Sequence, residues 1–144
     1  MKNIYLDNAA TTPLAPEVME EITPYLEHFF GNPSSTHSFG RKTKNAIEIT
    51  RKKIADYLNA SPKEIIFTSG GTEADNMAIR CSVTDLGIKR IITSVIEHNA
   101  VVHSVKMVNK RYNTKIDYVN LKKDGHIDLD HLEELLQKEE KTLV

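Results

Sequence analysis

The sequence predicts an α/β fold, an inner sheet joined by crossovers and covered by helices on both faces, and three observations predict it. Segments with apolar residues at helical spacing alternate with short apolar runs, as when Ile65-Ile66-Phe67 gives way to Ala74, Met77, Ala78 and Cys81. Breakers punctuate the boundaries, most sharply at Gly70-Gly71, which separates a strand pattern from a helical one. The 144 residues, 40% of them apolar, suffice for one core. Such alternation favours crossover units whose strand ends meet at a common ligand-binding edge.

Taken in order, Ile4-Tyr5-Leu6 reads as a short strand entering a loop or as a disordered start. Pro16, Val18, Met19, Ile22, Leu26 and Phe29 mark a helix with one apolar side, and Pro24 predicts a kink or break near its middle. Residues 31–40 form a breaker-rich loop, either a surface connection or an active-site or subunit-contact loop, in which His37 reads as exposed or capping. From Thr43 through Leu58, Ile47, Thr50, Ile54 and Leu58 share a face, with Ala46 and Tyr57 beside it. Asn59-Ala60-Ser61-Pro62 interrupts that helix. Ser61 and Glu64 then have the spacing of a capping box before a strand at Ile65–Phe67, although a turn explains the same residues.

A helix from Thr72 to about Thr84 follows the glycine pair, Gly87 ends the excursion, and Arg90 to Thr93 supplies a strand. Asn99 is placed to cap a helix whose Val101, Val102, Val105, Val108 and Tyr112 share an apolar face. Ile116 to Leu121 reads as the next strand and Asp124-Gly125 as a turn. Asp130 and Glu133 have N-cap and N3 spacing before a helix closed by Lys138 to Lys141, and Thr142-Leu143-Val144 opens a further strand.

Composition excludes several functions. With 19 basic and 20 acidic residues the formal charge is -1, so nothing global recommends nucleic acid, and the cluster Arg41, Lys42, Lys44, Arg51, Lys52 and Lys53, interrupted by Glu48, reads as a solvated helix face. The lone Cys81 excludes an intrachain disulfide and a cysteine-based metal site, and its helical stripe makes it a buried structural residue. No apolar run is long enough to span a bilayer and no signal-peptide segment follows Met1-Lys2-Asn3, so the cytoplasm is the default location.

The chemistry centres on Thr68-Ser69-Gly70-Gly71-Thr72-Glu73. A strand turning sharply into a helix leaves N–H groups without intrahelical partners, and such a corner attracts an anion. Glycine there tolerates positive φ and admits a ligand where a Cβ would stand, while Thr68, Ser69 and Thr72 offer hydroxyls. The spacing is neither that of a P-loop nor that of G-x-G-x-x-G, so a nucleotide is not favoured. An ordinary tight turn whose glycines serve only packing explains the residues equally. His98, at the next strand-to-helix connection beside Glu97, has a ring that can stack on a planar cofactor and exchange a proton, or can satisfy loop carbonyls.

Four motifs in order, Tyr5 to Pro13, Phe30-Gly31-Asn32-Pro33-Ser34-Ser35 with His37, Phe67 to Asn76, and Glu97-His98, resemble the pyridoxal-phosphate-dependent cysteine desulfurases of aminotransferase class V. The resemblance implies a partial fold type I transferase: residues 1–14 associated with the small domain or active-site entrance, and residues 15–144 an incomplete large cofactor domain. It implies that Gly71 and Thr72 bind the cofactor phosphate, that His98 stacks over the pyridine ring and serves acid–base steps, and that Asn8, Ala9 and Thr11 lie near the substrate entrance. It further implies conversion of L-cysteine to L-alanine through a protein persulfide, a homodimer, and a sulfur acceptor or iron–sulfur scaffold as partner, with no bound metal and no membrane or nucleic acid.

The family's cofactor-binding lysine, pyridine-nitrogen aspartate, ring-contacting glutamine and mobile-loop cysteine have no match here. None of Lys42, Lys44, Lys52 or Lys110 occupies the lysine motif, and Cys81 does not match the nucleophile. The expectation is therefore a fragment, inactive by itself, of such an enzyme. Open beside it are a fragment of another class V enzyme, such as a selenocysteine lyase or an aminotransferase, a noncatalytic phosphate-ligand-binding module, and a purely structural half-protein.

Overall fold

Proline at the first helical position has no N–H to leave unsatisfied, and Pro16 opens α1, Pro16–Glu27, in that way. The helix runs through Pro24 without the expected break. Pro24 lies close enough to the end that only one late hydrogen bond is lost, and its own carbonyl accepts from both His28 and Phe29 at 2.9 Å. The computed structural model describes residues 4–144, and contacts gather the chain into two units, Met1–Ile66 and Phe67–Val144. Residues 1–3 of the expected N-terminal segment lie outside the described residues, and Ile4–Leu6 forms no strand.

In the first unit α2 spans Ser38–Tyr57, beginning at Ser38 rather than at Thr43. The early start has a local cause: His37 is the N-cap, its Nδ1 accepting from Gly40 N–H at 3.4 Å, while Asn32 organises the preceding turn through bonds from the Ser34 and Ser35 N–H groups. The capping reading of His37 is the correct one. The helix face is rotated from the expected one, with Ala55 buried and Ile47, Arg51 and Ile54 half-buried, whereas Tyr57 and Leu58 are exposed. A capping box at Ser61 and Glu64 is present, and it starts a 3-10 turn, Pro62–Glu64. The strand expected at Ile65–Phe67 is not among the sheet's members. Ile65 donates its N–H to Pro62 and its carbonyl accepts from Arg51, so its hydrogen-bonding groups serve the turn and α2 instead of a ladder.

Gly40 is the residue on which the start of α2 depends. A Cβ there would meet the Ser35 and Asn32 carbonyl oxygens, the latter at 2.5 Å, and backbone atoms cannot swing away as a flexible side-chain end can. Gly40→Ala is expected to destabilise the protein by about 1–3 kcal/mol in urea denaturation, although alanine is the better helix former by roughly 1 kcal/mol. A neutral or stabilising result would show that the loop before α2 has room to retreat.

The second unit carries the sheet. Its elements are α3 (Gly71–Thr84), β1 (Arg90–Thr93), α4 (Asn99–Tyr112), β2 (Lys115–Tyr118), α5 (Leu129–Leu136) and β3 (Thr142–Leu143). The strands run parallel in the order β2-β1-β3, with Ile91 opposite Ile116 and Leu143. Successive strand residues face opposite sides, which explains two separate apolar clusters. Ile91 packs with Ile79 and Val83 of α3, Ile88, and Val105 and Val108 of α4. Ile92 packs on the other side with Val119 and Leu135 of α5. The α/β class is therefore the observed one, with a small parallel sheet between helices.

Three helix readings need correction. The buried stripe of α3 is Ile79 and Val83, not Ala74, Met77, Ala78 and Cys81; Met77 is exposed and Cys81 half-buried, because α4 and β1 meet the other side of the helix. The cap of α4 is His98 rather than Asn99. The cap of α5 is Asp128 rather than Asp130, its carboxylate accepting from His131 N–H, and the helix ends at Leu136 instead of continuing to Lys141. A bridge between Leu121 and Ile127 draws the chain back ahead of Asp128 and sets that earlier start. The turns at Gly87 and Gly125 are as expected, both glycines having positive φ.

Candidate functional site

Short connections fix where the helices begin. Residues 85–89 lead α3 into β1 and residues 94–98 lead β1 into α4, so both helices run opposite to β1 and start at its C-terminal end. Asn76 is the sixth residue of α3 and Ser104 the sixth of α4, and the two side chains meet at 2.6 Å. With about 1.5 Å of rise per residue, the two helix N-termini stand level. They carry Gly70-Gly71-Thr72 on one side and His98 on the other. In parallel α/β sheets this is the edge at which ligands bind.

At the first N-terminus, Gly70 is in an extended conformation and neither glycine adopts the left-handed region. A Cβ added to Gly70 or Gly71 would meet nothing within 4 Å. Neither backbone conformation nor packing within the described residues therefore requires these glycines. What they leave is open approach to the first N–H groups of α3, which have no intrahelical acceptor. The hydroxyls are divided: Thr68 donates to the Gly70 carbonyl at 3.2 Å, and Ser69 donates both its N–H, at 2.6 Å, and its hydroxyl, at 2.7 Å, to the Glu73 carboxylate. Of the three hydroxyls expected to face an anion, Thr72 alone makes no such internal bond among the described residues. The Ser69 N–H, and after it the Ser69 hydroxyl, hold the Glu73 carboxyl below the ordinary range. Residues Gly71 and Thr72 thus fit a phosphate ester, with Glu73 bracing the turn beside them. Glu73 three places after the N-cap is a signal the sequence contains, but with glycine at the cap it has no reciprocal side chain and bonds Ser69 instead.

At the second N-terminus, His98 Nδ1 accepts from Ala100 N–H at 3.2 Å. An accepting Nδ1 places the ring proton on Nε2, and the ring itself is exposed. Glu97, half of the family's dipeptide, accepts from Ser94 at 3.4 Å. A cavity of about 430 Å³ opens along the end of β1, lined by Asp75, Thr93, Ser94 and Glu97 and floored by apolar residues including Ile92, Val101 and Val119. Gly71, Thr72 and His98 do not line it.

Asn8, Ala9 and Thr11 belong to the first unit, in an exposed turn where the Ala10 and Thr11 N–H groups donate to the Asp7 carbonyl. Burial, and then the neighbouring Asp85, push the Cys81 thiol up, which disfavours the thiolate. Among the described residues, no group of three or more His, Cys, Asp and Glu is arranged to hold a metal ion, and no helix is long and apolar enough to cross a membrane.

The chain is similar to known proteins over nearly all of its length. The chain is 47% identical over 140 residues to cysteine desulfurase IscS of Dictyoglomus turgidum, covering 96% of this chain and 35% of that one. Among solved structures, a NifS-like protein superposes with a TM-score of 0.80 at 34% identity, covering 94% of this chain and 37% of the other. SspA in complex with cysteine superposes with a TM-score of 0.79 at 34% identity, covering 93% and 38%. The chain spans about a third of the length of the curated relatives it matches. The aminotransferase class-V pattern matches residues 4–144, and the chain belongs to that family.

Proposed function

We propose that these residues form the phosphate cradle and ring-facing imidazole of a pyridoxal-phosphate-dependent cysteine desulfurase. The single observation that carries the reading is the level pairing of two helix N-termini at the sheet edge, one glycine-opened and one capped by His98. The N–H groups of Gly71 and Thr72, with the Thr72 hydroxyl, hold the phosphate dianion, where the helix dipole adds to the hydrogen bonds. His98 lies against the ring, and its Nε2–H is the proton available at that face. Bound there, pyridoxal phosphate supplies the electron sink for carbanion chemistry at the substrate Cα. L-Cysteine is the proposed substrate, a relationship supported by the cysteine bound in the SspA structure.

The remainder of the reading concerns the whole enzyme: L-alanine as product, sulfur leaving through a protein persulfide to a sulfur-acceptor or iron–sulfur scaffold protein, a homodimer, and a cytoplasmic setting. In that enzyme Asn8, Ala9 and Thr11 sit near the substrate entrance, residues 1–14 accompany the small domain, and residues 15–144 contribute to the large one. The 144 residues by themselves bind the phosphate ester without turning over cysteine. Their lysines match no cofactor-binding motif, and Cys81 is a poor nucleophile in its setting.

Pyridoxine 5′-phosphate tests the cradle, because it carries ring and phosphate but no aldehyde for surface lysines to trap. Calorimetry is expected to detect saturable binding that pyridoxine without phosphate does not reproduce, while L-cysteine and pyridoxal phosphate yield neither sulfide nor alanine. Equal binding of both pyridoxine forms would remove the phosphate site, and sulfide production would remove the claim of inactivity.

A further inference from the structure

We propose that Asn76 is a positioning residue, whose carboxamide sets the phosphate-binding turn of α3 against the helix that His98 caps. The proposal rests on the cradle described above and adds how its two halves are kept in register. Asn76 donates through Nδ2 to the Thr72 carbonyl at 2.7 Å, inside the turn that presents the Thr72 hydroxyl. Its Oδ1 lies 2.6 Å from the Ser104 hydroxyl, which also lies 2.7 Å from the Ala100 carbonyl and shares its single proton between them. Ala100 is the residue whose N–H is held by His98 Nδ1. One chain of bonds therefore runs from Thr72 through Asn76, Ser104 and Ala100 to the imidazole.

The surroundings make this connection directional. Ser104 is 2% exposed, in a helix interface otherwise built from Ile79, Val83, Val105 and Val108. Apolar packing of that kind fixes the distance between two helices but tolerates small sliding, because it has no directional term. The hydrogen bond between the buried Ser104 hydroxyl and the carboxamide of exposed Asn76 adds the direction that packing lacks: a slide breaks it, leaving Ser104 bonded to the Ala100 carbonyl of its own helix and Asn76 Oδ1 to water, and frees the two N-terminal turns to shift in height. At the sixth position of both helices, the contact fixes relative height close to the two N-termini. A ligand that engages only the α3 corner is indifferent to that height, whereas a ligand touching both the corner and His98 is not.

The test compares two probes on three variants. Inorganic phosphate addresses the corner alone, and pyridoxine 5′-phosphate addresses the corner and the imidazole. Asn76→Ala and Ser104→Ala are each expected to weaken pyridoxine 5′-phosphate about tenfold and to change inorganic phosphate affinity no more than about twofold, and the double variant is expected to be no worse than either single. Equal losses for both probes, or losses that add in the double variant, would reduce Asn76 to a general structural residue and overturn the proposal. Ser104→Ala removes one oxygen, so it keeps the test decisive if Asn76→Ala does not fold. Failure of the unaltered protein to bind either probe would instead overturn the cradle itself. Retention of binding with no variant effect would overturn only the positioning role.

Discussion

Arg90→Met is expected to lower the stability of the protein by about 3–5 kcal/mol, the usual effect of stripping one partner from a buried ion pair. Arg90 opens the central strand and is fully buried; its Nε donates to the Asp117 carboxylate of β2 at 2.6 Å and its Nη1 donates to the Leu135 carbonyl of α5 at 2.8 Å. Methionine fills the volume but leaves a largely buried carboxylate with only Lys115, 3.4 Å away, and a helix-end carbonyl without its donor. Total stabilities of about 5–15 kcal/mol make that a large share. Urea denaturation followed by far-UV circular dichroism measures it, and a loss below about 1 kcal/mol would show that the pair contributes no more than an exposed one. The variant Arg90→Met with Asp117→Leu is expected to recover part of the loss, since the ion pair then disappears as a unit while the Leu135 carbonyl still lacks its donor.

The same pair sets an acid limit. Burial, the largest single influence on Asp117, raises its pKa, but the Arg90 hydrogen bond and charge, with Lys115, outweigh it and leave the carboxyl below its ordinary 3.8. A depressed folded-state pKa contributes stability that is complete above the unfolded value and is lost as pH falls through the folded one. Acid denaturation of the unaltered protein is therefore expected to include a component below about pH 3.8, absent from Asp117→Asn.

Arg90 also shows where the sequence stops being legible. Residues 90–93 read as a strand from their apolar run, and they form one. Burial of the arginine depends on a carboxylate 27 positions away and a carbonyl 45 away, which no local pattern announces. The stripe of α3 failed for a related reason. Ala74, Met77, Ala78 and Cys81 are apolar at helical spacing, yet periodicity cannot say which of two candidate faces meets a neighbour, and α4 selects Ile79 and Val83. Ile65–Phe67 has strand composition, but membership of a sheet is decided by partners. The helix start at the glycine pair, the turns at Gly87 and Gly125, and the capping box at Ser61 were legible because each is determined within a few residues. The placement of His98 as a cap was one residue from the expectation, and that shift ties the imidazole to the first turn of α4.

Gly71 is expected to separate stability from binding. Its conformation lies outside the left-handed region and a Cβ would meet nothing within 4 Å. Gly71→Ala therefore removes conformational entropy from the unfolded chain and is expected to stabilise the protein by roughly 0.4–1 kcal/mol. The same Cβ narrows the open approach to the helix start at which the phosphate is proposed to bind, so affinity for pyridoxine 5′-phosphate is expected to fall about tenfold. Gly71→Asp adds a like charge at the place of the phosphate, and with a charged hydrogen bond contributing about 1.5–3 kcal/mol its loss is expected to approach 100-fold. Thermal melts and calorimetry on the same samples read the two effects separately. A glycine kept for packing would lose stability and leave ligand affinity unchanged, the opposite pair of results. On the proposed cradle, ligand occupancy explains the glycine: an open surface at a helix start is left by a residue that the fold does not need, at the point where the proposed phosphate would approach the backbone N–H groups.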